Sequence, residues 1–333
     1  MKDNDLIINI ENLIVHYETE EGTVRAVNGI DLKMKKKRSI GLVGETGAGK
    51  TTTALAMLRL IPDPPGVIKN GVIVLNGENI LDKSVKEMEN IRGKDISMIF
   101  QDPMTALNPV FTVGEQIAES IMLHEDVSKK EAYERAKELL EMVGISGNRA
   151  NEYPHQFSGG MRQRAIIAIA LACQPKVLIA DEPTTALDVT IQAQVLELIN
   201  DLMEKHETAL LMITHDLGVV AEVCDEVAVM YAGRIVEKGS LEDVFNRTKH
   251  PYTEGLFNSL PNIKDRKAKL KPIPGLMPDP TNLPIGCAFS PRCPYANDIC
   301  REQKPVPRWI SSTHMVECSA YDDPSFHIAR REK

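Results

Sequence analysis

The chain has 333 residues, of which 43% are apolar and 26% are charged, which is typical of a globular protein with one large domain or two to three modules. Its net charge of −8 argues against a protein that binds nucleic acid regardless of sequence, because such binding requires a basic surface. Apolar runs such as residues 165–173 are too short for a membrane span, and residues 1–5 lack a signal-peptide core, so we expect a cytoplasmic chain.

The first 34 residues contain an alternating pattern. Apolar and polar side chains alternate along residues 6–34, and a Glu-Glu-Gly turn interrupts them at residues 20–22, which predicts an antiparallel ribbon. Tyr17 lies in this ribbon. Its ring could stack on a purine base or could only pack within the strand, and the sequence does not separate the two.

A phosphate-binding loop follows. Residues 44–51 fit the pattern G-x-x-x-x-G-K-[ST], between an apolar strand at 39–43 and a helix at 52–58. In this context the glycines allow successive backbone N–H groups to surround a phosphate. The alternative is a glycine-rich turn that binds no ligand, and the strand before the loop and the helix after it argue against that alternative. Lys50 would reach the β- and γ-phosphates of a nucleotide, and the Thr51 hydroxyl would ligate Mg²⁺.

Three further buried strands end in polar side chains. Gln101 follows the strand at residues 95–100, and a glutamine there can meet a ligand at the edge of an open α/β sheet. Asp181 and Glu182 end the next strand; adjacent buried acids are costly unless they meet a cation. We predict that Asp181 holds Mg²⁺ and that Glu182 orients and deprotonates a water molecule. A lone histidine is usually structural, but the position of His215 at the end of a third strand favours the site.

Residues 112–156 change character, because short amphipathic helices predict a helical insertion into the α/β core. Ser158, Gly159 and Gly160 then precede the apolar helix at 165–173. Ser158 is a good N-cap, and the glycines expose backbone N–H groups, which makes a second potential anion site of low specificity when taken alone.

The last eighty residues differ in texture. A proline-rich stretch at residues 272–284 precedes four cysteines with the spacing C-x5-C-x6-C-x17-C, namely Cys287, Cys293, Cys300 and Cys318. In a cytosolic chain such a group suggests a metal rather than disulfides. Structural zinc usually shows tight cysteine pairs, so the looser spacing favours a [4Fe–4S] cluster, with zinc or no metal as alternatives. We expect the metal to have a structural role, since so short a module needs a cross-link such as a bound metal in order to fold.

Taken together, these residues resemble the nucleotide-binding subunit of an ABC transporter, and the ordered set covers residues 1–255. Its members are the phosphate loop at 44–51, Gln101, a signature at 157–161, Asp181 and Glu182, the D-loop Ala186-Leu187-Asp188, and His215. Residues 101–109, 157–164 and 250–253 resemble the peptide-importer branch. The common signature has leucine first and glutamine fifth, where this chain has Phe157 and Met161; the roles of Ser158 and Gly160 are unaffected.

The resemblance implies an architecture. We expect an α/β P-loop NTPase (RecA-like) core with an antiparallel β subdomain and an inserted α-helical subdomain, followed by a small irregular Cys-rich C-terminal domain. The expected domains are a nucleotide-binding domain at residues 1–255, with the helical insertion at about 104–160, and a Pro/Cys-rich domain at 256–333 that binds a metal cluster.

It also implies a composite site for ATP and Mg²⁺, in which the signature of a facing subunit (Ser158, Gly159 and Gly160) covers ATP and Asp188 belongs to the D-loop. Glu182, His215 and Gln101 are the expected catalytic residues, and Thr51, Gln101 and Asp181 are the expected Mg²⁺ ligands. The expected ATP contacts are Tyr17, Gly44, Glu45, Thr46, Gly47, Ala48, Gly49, Lys50, Thr51 and Thr52.

The implied function is to energise import of dipeptides or oligopeptides, by ATP-driven closure of two subunits and hydrolysis-driven opening. The implied partners are a second ATPase, identical or similar, two transmembrane permease subunits and, indirectly, an extracytoplasmic peptide-binding protein. The subunit would lie on the inner face of the cell membrane. The alternatives are an importer of nickel or another small solute, and a soluble ABC ATPase acting on DNA or ribosomes, which typically carries insertions absent here.

Overall fold

The computed structural model of the protein describes residues 5–185, 187–260, 271–323 and 325–328. Its strands are β1 (Leu6–Thr19), β2 (Gly22–Lys35), β3 (Ser39–Val43), β4 (Gly66–Leu75), β5 (Glu78–Asn79), β6 (Ile96–Ile99), β7 (Val177–Asp181), β8 (Ala209–Thr214), β9 (Glu226–Tyr231), β10 (Arg234–Ser240), β11 (Arg308–Trp309) and β12 (Met315–Val316). Its helices are α1 (Lys50–Met57), α2 (Val85–Ile91), α3 (Pro103–Ala106), α4 (Val113–His124), α5 (Lys129–Met142), α6 (Gly159–Leu171), α7 (Val189–His206), α8 (Leu217–Val223), α9 (Leu241–Asn246), α10 (Pro251–Asn258) and α11 (Asp298–Glu302).

The core is a sheet with the strand order β11-β12-β10-β9-β3-β8-β7-β6. Strands β9, β3, β8, β7 and β6 run parallel, so their carboxyl ends meet at one edge. Every residue of β7 and β8 is buried, as expected for parallel strands with both faces covered. The predicted α/β core is therefore present, and the central strand β3 leads into the phosphate loop.

A second, antiparallel sheet has the order β2-β1-β4-β5 and contains the predicted ribbon. Strands β1 and β2 pair from Leu6 to Thr19, which confirms the prediction from the alternating pattern. Asn76 and Gly77 have φ angles of 50° and 90° between β4 and β5. Asn-Gly tolerates such angles well, which is why this dipeptide predicts a tight hairpin.

Helices α3 to α6 and two 3-10 turns (Gly147–Asn151 and Pro154–Gln156) separate β6 from β7, where the sequence predicts helical structure. The α6 helix begins at Gly159, six residues before the predicted apolar run, because Ser158 caps it. None of the described helices is both long and apolar enough to cross a membrane.

The C-terminal segment is hydrogen-bonded to the core. Strand β12 pairs with β10, with Val316 opposite Glu237, and β11 pairs with β12. Glu237 is fully buried and accepts hydrogen bonds from the N–H groups of Lys249 and His250 and contacts Nε2 of His314 at 2.8 Å. One carboxylate thus joins β10, the start of α10 and the C-terminal strands, so the segment is built onto the core sheet.

Glu237→Ala should destabilise the protein by about 3–5 kcal/mol, because it removes a buried acceptor and leaves two N–H groups and His314 without their partner. Urea unfolding of the full chain measures this change. The matched control is Glu222→Ala, at an exposed position of α8, which should change stability by less than about 0.5 kcal/mol. Equal effects of the two substitutions would contradict the role of Glu237.

Candidate nucleotide-binding site

The phosphate loop joins β3 to α1, and its glycines are required by its surroundings. A Cβ atom at Gly44 would collide with the carbonyl oxygen of Met230, and one at Gly49 would collide with that of Ala26. Gly49 also has a φ of 103°, in the region that favours glycine. The backbones of β9 and β2 thus lie directly against the loop. Because of this confinement, the loop remains a narrow turn at the amino end of α1.

Lys50 is held inside this turn. The residue is 7% exposed, and its Nζ donates hydrogen bonds to the carbonyl oxygens of Gly44 at 2.7 Å and Glu45 at 3.0 Å. Burial lowers the pKa of Lys50, while the nearby carboxylates of Glu182, Asp181 and Glu45 oppose that shift. Bound phosphate would supply negative charge to an ammonium that now contacts neutral carbonyls. The loop and Lys50 therefore fit a nucleotide phosphate.

Thr51 and Asp181 place two oxygen donors beside the loop. The Thr51 hydroxyl donates to Oδ2 of Asp181 at 2.8 Å, and Asp181 is 2% exposed. Burial raises the pKa of Asp181, although the Thr51 hydrogen bond acts against this. A cation would favour the ionised carboxylate. A hydroxyl and a carboxylate oxygen this close are the hard ligands that Mg²⁺ prefers, so these residues fit the metal.

Glu182 is the centre of a polar cluster at the ends of β6, β7 and β8. Its Oε1 lies 3.0 Å from Nδ1 of His215, and its Oε2 accepts hydrogen bonds from Gln101 and Thr185, both at 3.0 Å. Burial acts to raise the pKa of Glu182, but the bonds to His215 and Thr185 bring it below its usual value. The carboxylate is therefore ionised at neutral pH, as a general base must be.

The backbone at Glu182 is also unusual. Its φ of 47° is left-handed, a conformation that costs a residue with a side chain about 1–3 kcal/mol. The N–H of Glu182 donates to the carbonyl of Ile213 at 2.8 Å, which holds the turn against β8. Such strain is concentrated at functional sites, because the surrounding structure has to maintain it.

Tyr17 and Thr52 lie together at the start of α1. The Tyr17 hydroxyl lies 3.4 Å from Oγ1 of Thr52, and the ring is half-buried. Strand β1 therefore brings an aromatic side chain to the helix that follows the phosphate loop.

The signature and the D-loop are located on different elements from the phosphate loop. Ser158 caps α6 by accepting from the N–H of Met161, and Asp188 caps α7 by accepting from the N–H of Ile191 at 3.0 Å. A Cβ on Gly160 would lie 2.6 Å from a methyl of Ile191, so the two helix starts are in close contact. Ala186 of the predicted D-loop lies outside the described residues.

Comparison with known proteins decides the family. The family model described as "ABC transporter" matches residues 27–185, and that described as "Oligopeptide/dipeptide transporter, C-terminal region" matches residues 236–300. The oligopeptide transport ATP-binding protein OppD of Bacillus subtilis is 51% identical over 93% of this chain and 88% of its own. The chain belongs to the ABC transporter family.

A second relative and a solved structure agree with this family assignment. The dipeptide transport ATP-binding protein DppD of B. subtilis is 47% identical over 96% of each chain. A dimeric ATP-binding cassette, solved in a post-hydrolysis state with ADP and Pi, is 26% identical with a TM-score of 0.63, covering 70% of this chain and 98% of that one. The predicted membership and the ATPase activity that goes with it are confirmed.

The prediction of an iron–sulfur cluster in this ABC ATPase is wrong. Within the described parts of the chain, no group of three or more His, Cys, Asp or Glu side chains is arranged to hold a metal ion, and zinc is equally unsupported. Burial raises the pKa of the Cys293 thiol to about 11 and that of the Cys318 thiol to about 12. Cys287 and Cys293 instead pack against the apolar core beside Phe289.

The sequence reasoning missed three residues near the site of the ABC ATPase. Thr185 contacts Glu182, the hydroxyl of Tyr252 accepts from the N–H of Glu45 at 2.9 Å, and Arg292 forms an ion pair with Glu45 at 2.9 Å. Thr185 could have been found from its place three residues after Glu182. No local pattern in the sequence predicts that Tyr252 or Arg292 contacts the loop.

Proposed function

We propose that this ABC ATPase energises the import of dipeptides or oligopeptides through a membrane permease. The observation that carries the proposal is the match of residues 236–300 to the C-terminal region of oligopeptide/dipeptide transporters, together with relatives named for oligopeptide and dipeptide transport. An importer of nickel or another solute is not favoured, since the same segment carries the peptide-transporter match.

The phosphates of ATP would lie against the loop from Gly44 to Thr51, with the ammonium of Lys50 beside them. Thr51 and Asp181 would hold Mg²⁺, which when bound offsets the negative charge of the phosphates. Gln101 was predicted as a further Mg²⁺ ligand; its present bond to Glu182 favours a role on the carboxylate side of the site.

Glu182 would accept the proton of the attacking water. Its two oxygens have separate partners: Oε1 contacts His215, and Oε2 accepts from Gln101 and Thr185. General-base catalysis of this kind contributes about 10²–10⁴-fold to a rate, provided that the base is ionised and correctly placed. The lowered pKa of Glu182, which keeps it ionised, and these three contacts support the role.

The site would be completed by a second subunit, identical or similar. Ser158, Gly159 and Gly160 expose the amino end of α6, which suits a phosphate, and Asp188 holds the adjoining end of α7. Tyr17 would stack on the base. ATP held between two subunits favours the closed pair, and hydrolysis removes that preference, so the pair opens.

The remaining partners would be two transmembrane permease subunits and, indirectly, an extracytoplasmic peptide-binding protein. The ATPase would act on the cytoplasmic, inner face of the cell membrane. We further propose a nucleotide-binding domain at residues 1–255, with its helical part at about 104–160, and a C-terminal domain at 256–333 that is built onto the core sheet through β12.

Reconstitution with the permease subunits in vesicles tests this function. Labelled oligopeptide should enter only when Mg²⁺ and ATP are present on the side of the ATPase, and unlabelled peptide should compete. A parallel uptake assay uses nickel in place of peptide. Uptake of nickel without uptake of peptide would contradict the peptide assignment and leave the ATPase assignment intact.

A further inference from the structure

Every polar group of Glu45, the second residue of the phosphate loop, has a partner. Its carbonyl accepts from Lys50, its N–H donates to the hydroxyl of Tyr252, and its carboxylate pairs with Arg292. Two of these partners come from beyond the nucleotide-binding strands. The first turn of the loop is therefore held from outside by the C-terminal part of the chain.

Arg292 forms a buried ion pair rather than a surface one. The residue is 8% exposed, and its guanidinium is bidentate on Glu45, with Nη1–Oε2 at 2.9 Å and Nη2–Oε1 at 3.2 Å. Its Nε donates to the carbonyl of Pro274 at 2.9 Å, and Nη1 also reaches the hydroxyl of Tyr231 at 3.3 Å. A buried arginine with these acceptors is fixed in one orientation.

The segment that carries Arg292 runs along the loop. We name residues 272–292 the tail strap. The carbonyl of Pro280 accepts from the N–H of Arg25 on β2 at 3.0 Å, and the terminal methyl of Met277 lies 3.1 Å from where a Cβ on Gly47 would be. The strap thus contacts the loop at Gly47 as well as at Glu45.

Charge gives this contact a consequence for nucleotide binding. The carboxylate of Glu45 is close enough to Lys50 to affect its pKa, so it also lies within electrostatic reach of phosphates bound at Lys50. An uncompensated carboxylate there would repel them. Arg292 neutralises this charge, and together with Tyr252 it keeps the first turn of the loop in place.

We propose that Arg292 is a positioning residue for ATP binding: through Glu45, the tail strap sets the affinity of the phosphate loop for nucleotide. The inference rests on the proposed function, because it assumes that this loop binds ATP. It assigns to the C-terminal segment a role in the nucleotide site of its own subunit.

The test is ATP affinity of the full chain in the presence of Mg²⁺. Arg292→Gln should weaken binding about tenfold, as expected for one uncompensated charge near a partly exposed site. In the reconstituted transporter the KM for ATP should rise while kcat at saturating ATP is retained. Glu45→Gln in the Arg292→Gln background should restore affinity to within about threefold of the wild type, because it removes the unpaired charge.

The matched control is Arg234→Gln. Arg234 also joins the core to the C-terminal segment, through Glu317, with Nη2–Oε2 at 3.0 Å. It should lower the melting temperature as Arg292→Gln does, yet leave ATP affinity within about twofold. Equal weakening by both variants would mean that general loosening is responsible and would overturn the proposal.

Two further outcomes would also overturn it: unchanged affinity in Arg292→Gln, or no recovery in the double variant. If Arg292→Gln does not fold, Arg292→Lys takes its place: it keeps the charge but not the bidentate geometry, and it should weaken ATP binding about threefold. Unchanged ATP affinity in Arg292→Lys would then overturn the proposal. A wild-type chain that binds no ATP would instead refute the nucleotide site itself.

Discussion

Glu182→Gln should lower ATP turnover by about 10²–10⁴-fold and leave ATP binding intact, because only the proton acceptor is removed. Glutamine keeps the volume of the side chain and one acceptor oxygen for Gln101 and Thr185. The charge that favours proton transfer is lost. Phosphate release by the reconstituted transporter measures turnover, and equilibrium binding of ATP to the same protein measures affinity.

The control for this substitution is Glu197→Gln, at an exposed position of α7, which should turn over ATP at the wild-type rate. Near-normal hydrolysis in Glu182→Gln would assign the base to another residue. A loss of ATP binding in that variant would mean that Glu182 shapes the site rather than acting in the chemical step.

Lys50→Met should weaken ATP binding by about 100-fold, because charge-assisted hydrogen bonds to phosphate contribute about 1.5–3 kcal/mol each. Methionine replaces most of the buried aliphatic stem, so little space is left empty. The carbonyls of Gly44 and Glu45 lose their donor. Equilibrium binding of ATP with Mg²⁺ measures the effect.

Lys37→Met is the matched control for that substitution. Lys37 forms an ion pair with Glu207 at 2.6 Å on the surface, and both side chains are largely exposed. Its loss should leave ATP affinity unchanged. If Lys50→Met bound ATP as the wild type does, the loop from Gly44 to Thr51 would not be the phosphate site.

Much of the candidate site follows from the order of residues along the chain. The loop at 44–51, Gln101, Asp181 with Glu182, and His215 each follow an apolar strand, and parallel strands present their carboxyl ends at one edge. These side chains therefore converge once their strands lie parallel in one sheet. The cap at Ser158 could also be predicted from the sequence, because capping involves residues three apart; the cap at Asp188 was seen only in the structure.

Other features depend on contacts between distant residues. The cysteine spacing suggested an iron–sulfur cluster because spacing says which residues are available, whereas binding depends on where their side chains point and how deeply they are buried. Only the folded chain shows that Cys318 is buried, that Cys293 is half-buried, and that the described residues form no metal-binding group.

By itself, the sequence determined the phosphate loop, the polar ends of the strands and the family, because each is a local pattern of glycine, apolar and acidic residues. The tertiary structure alone decided that β12 joins the core sheet and that Arg292 meets Glu45 across 247 residues of chain. A long-range ion pair leaves no periodic signal; it exists only because β10 and the core bring the tail strap back over the loop.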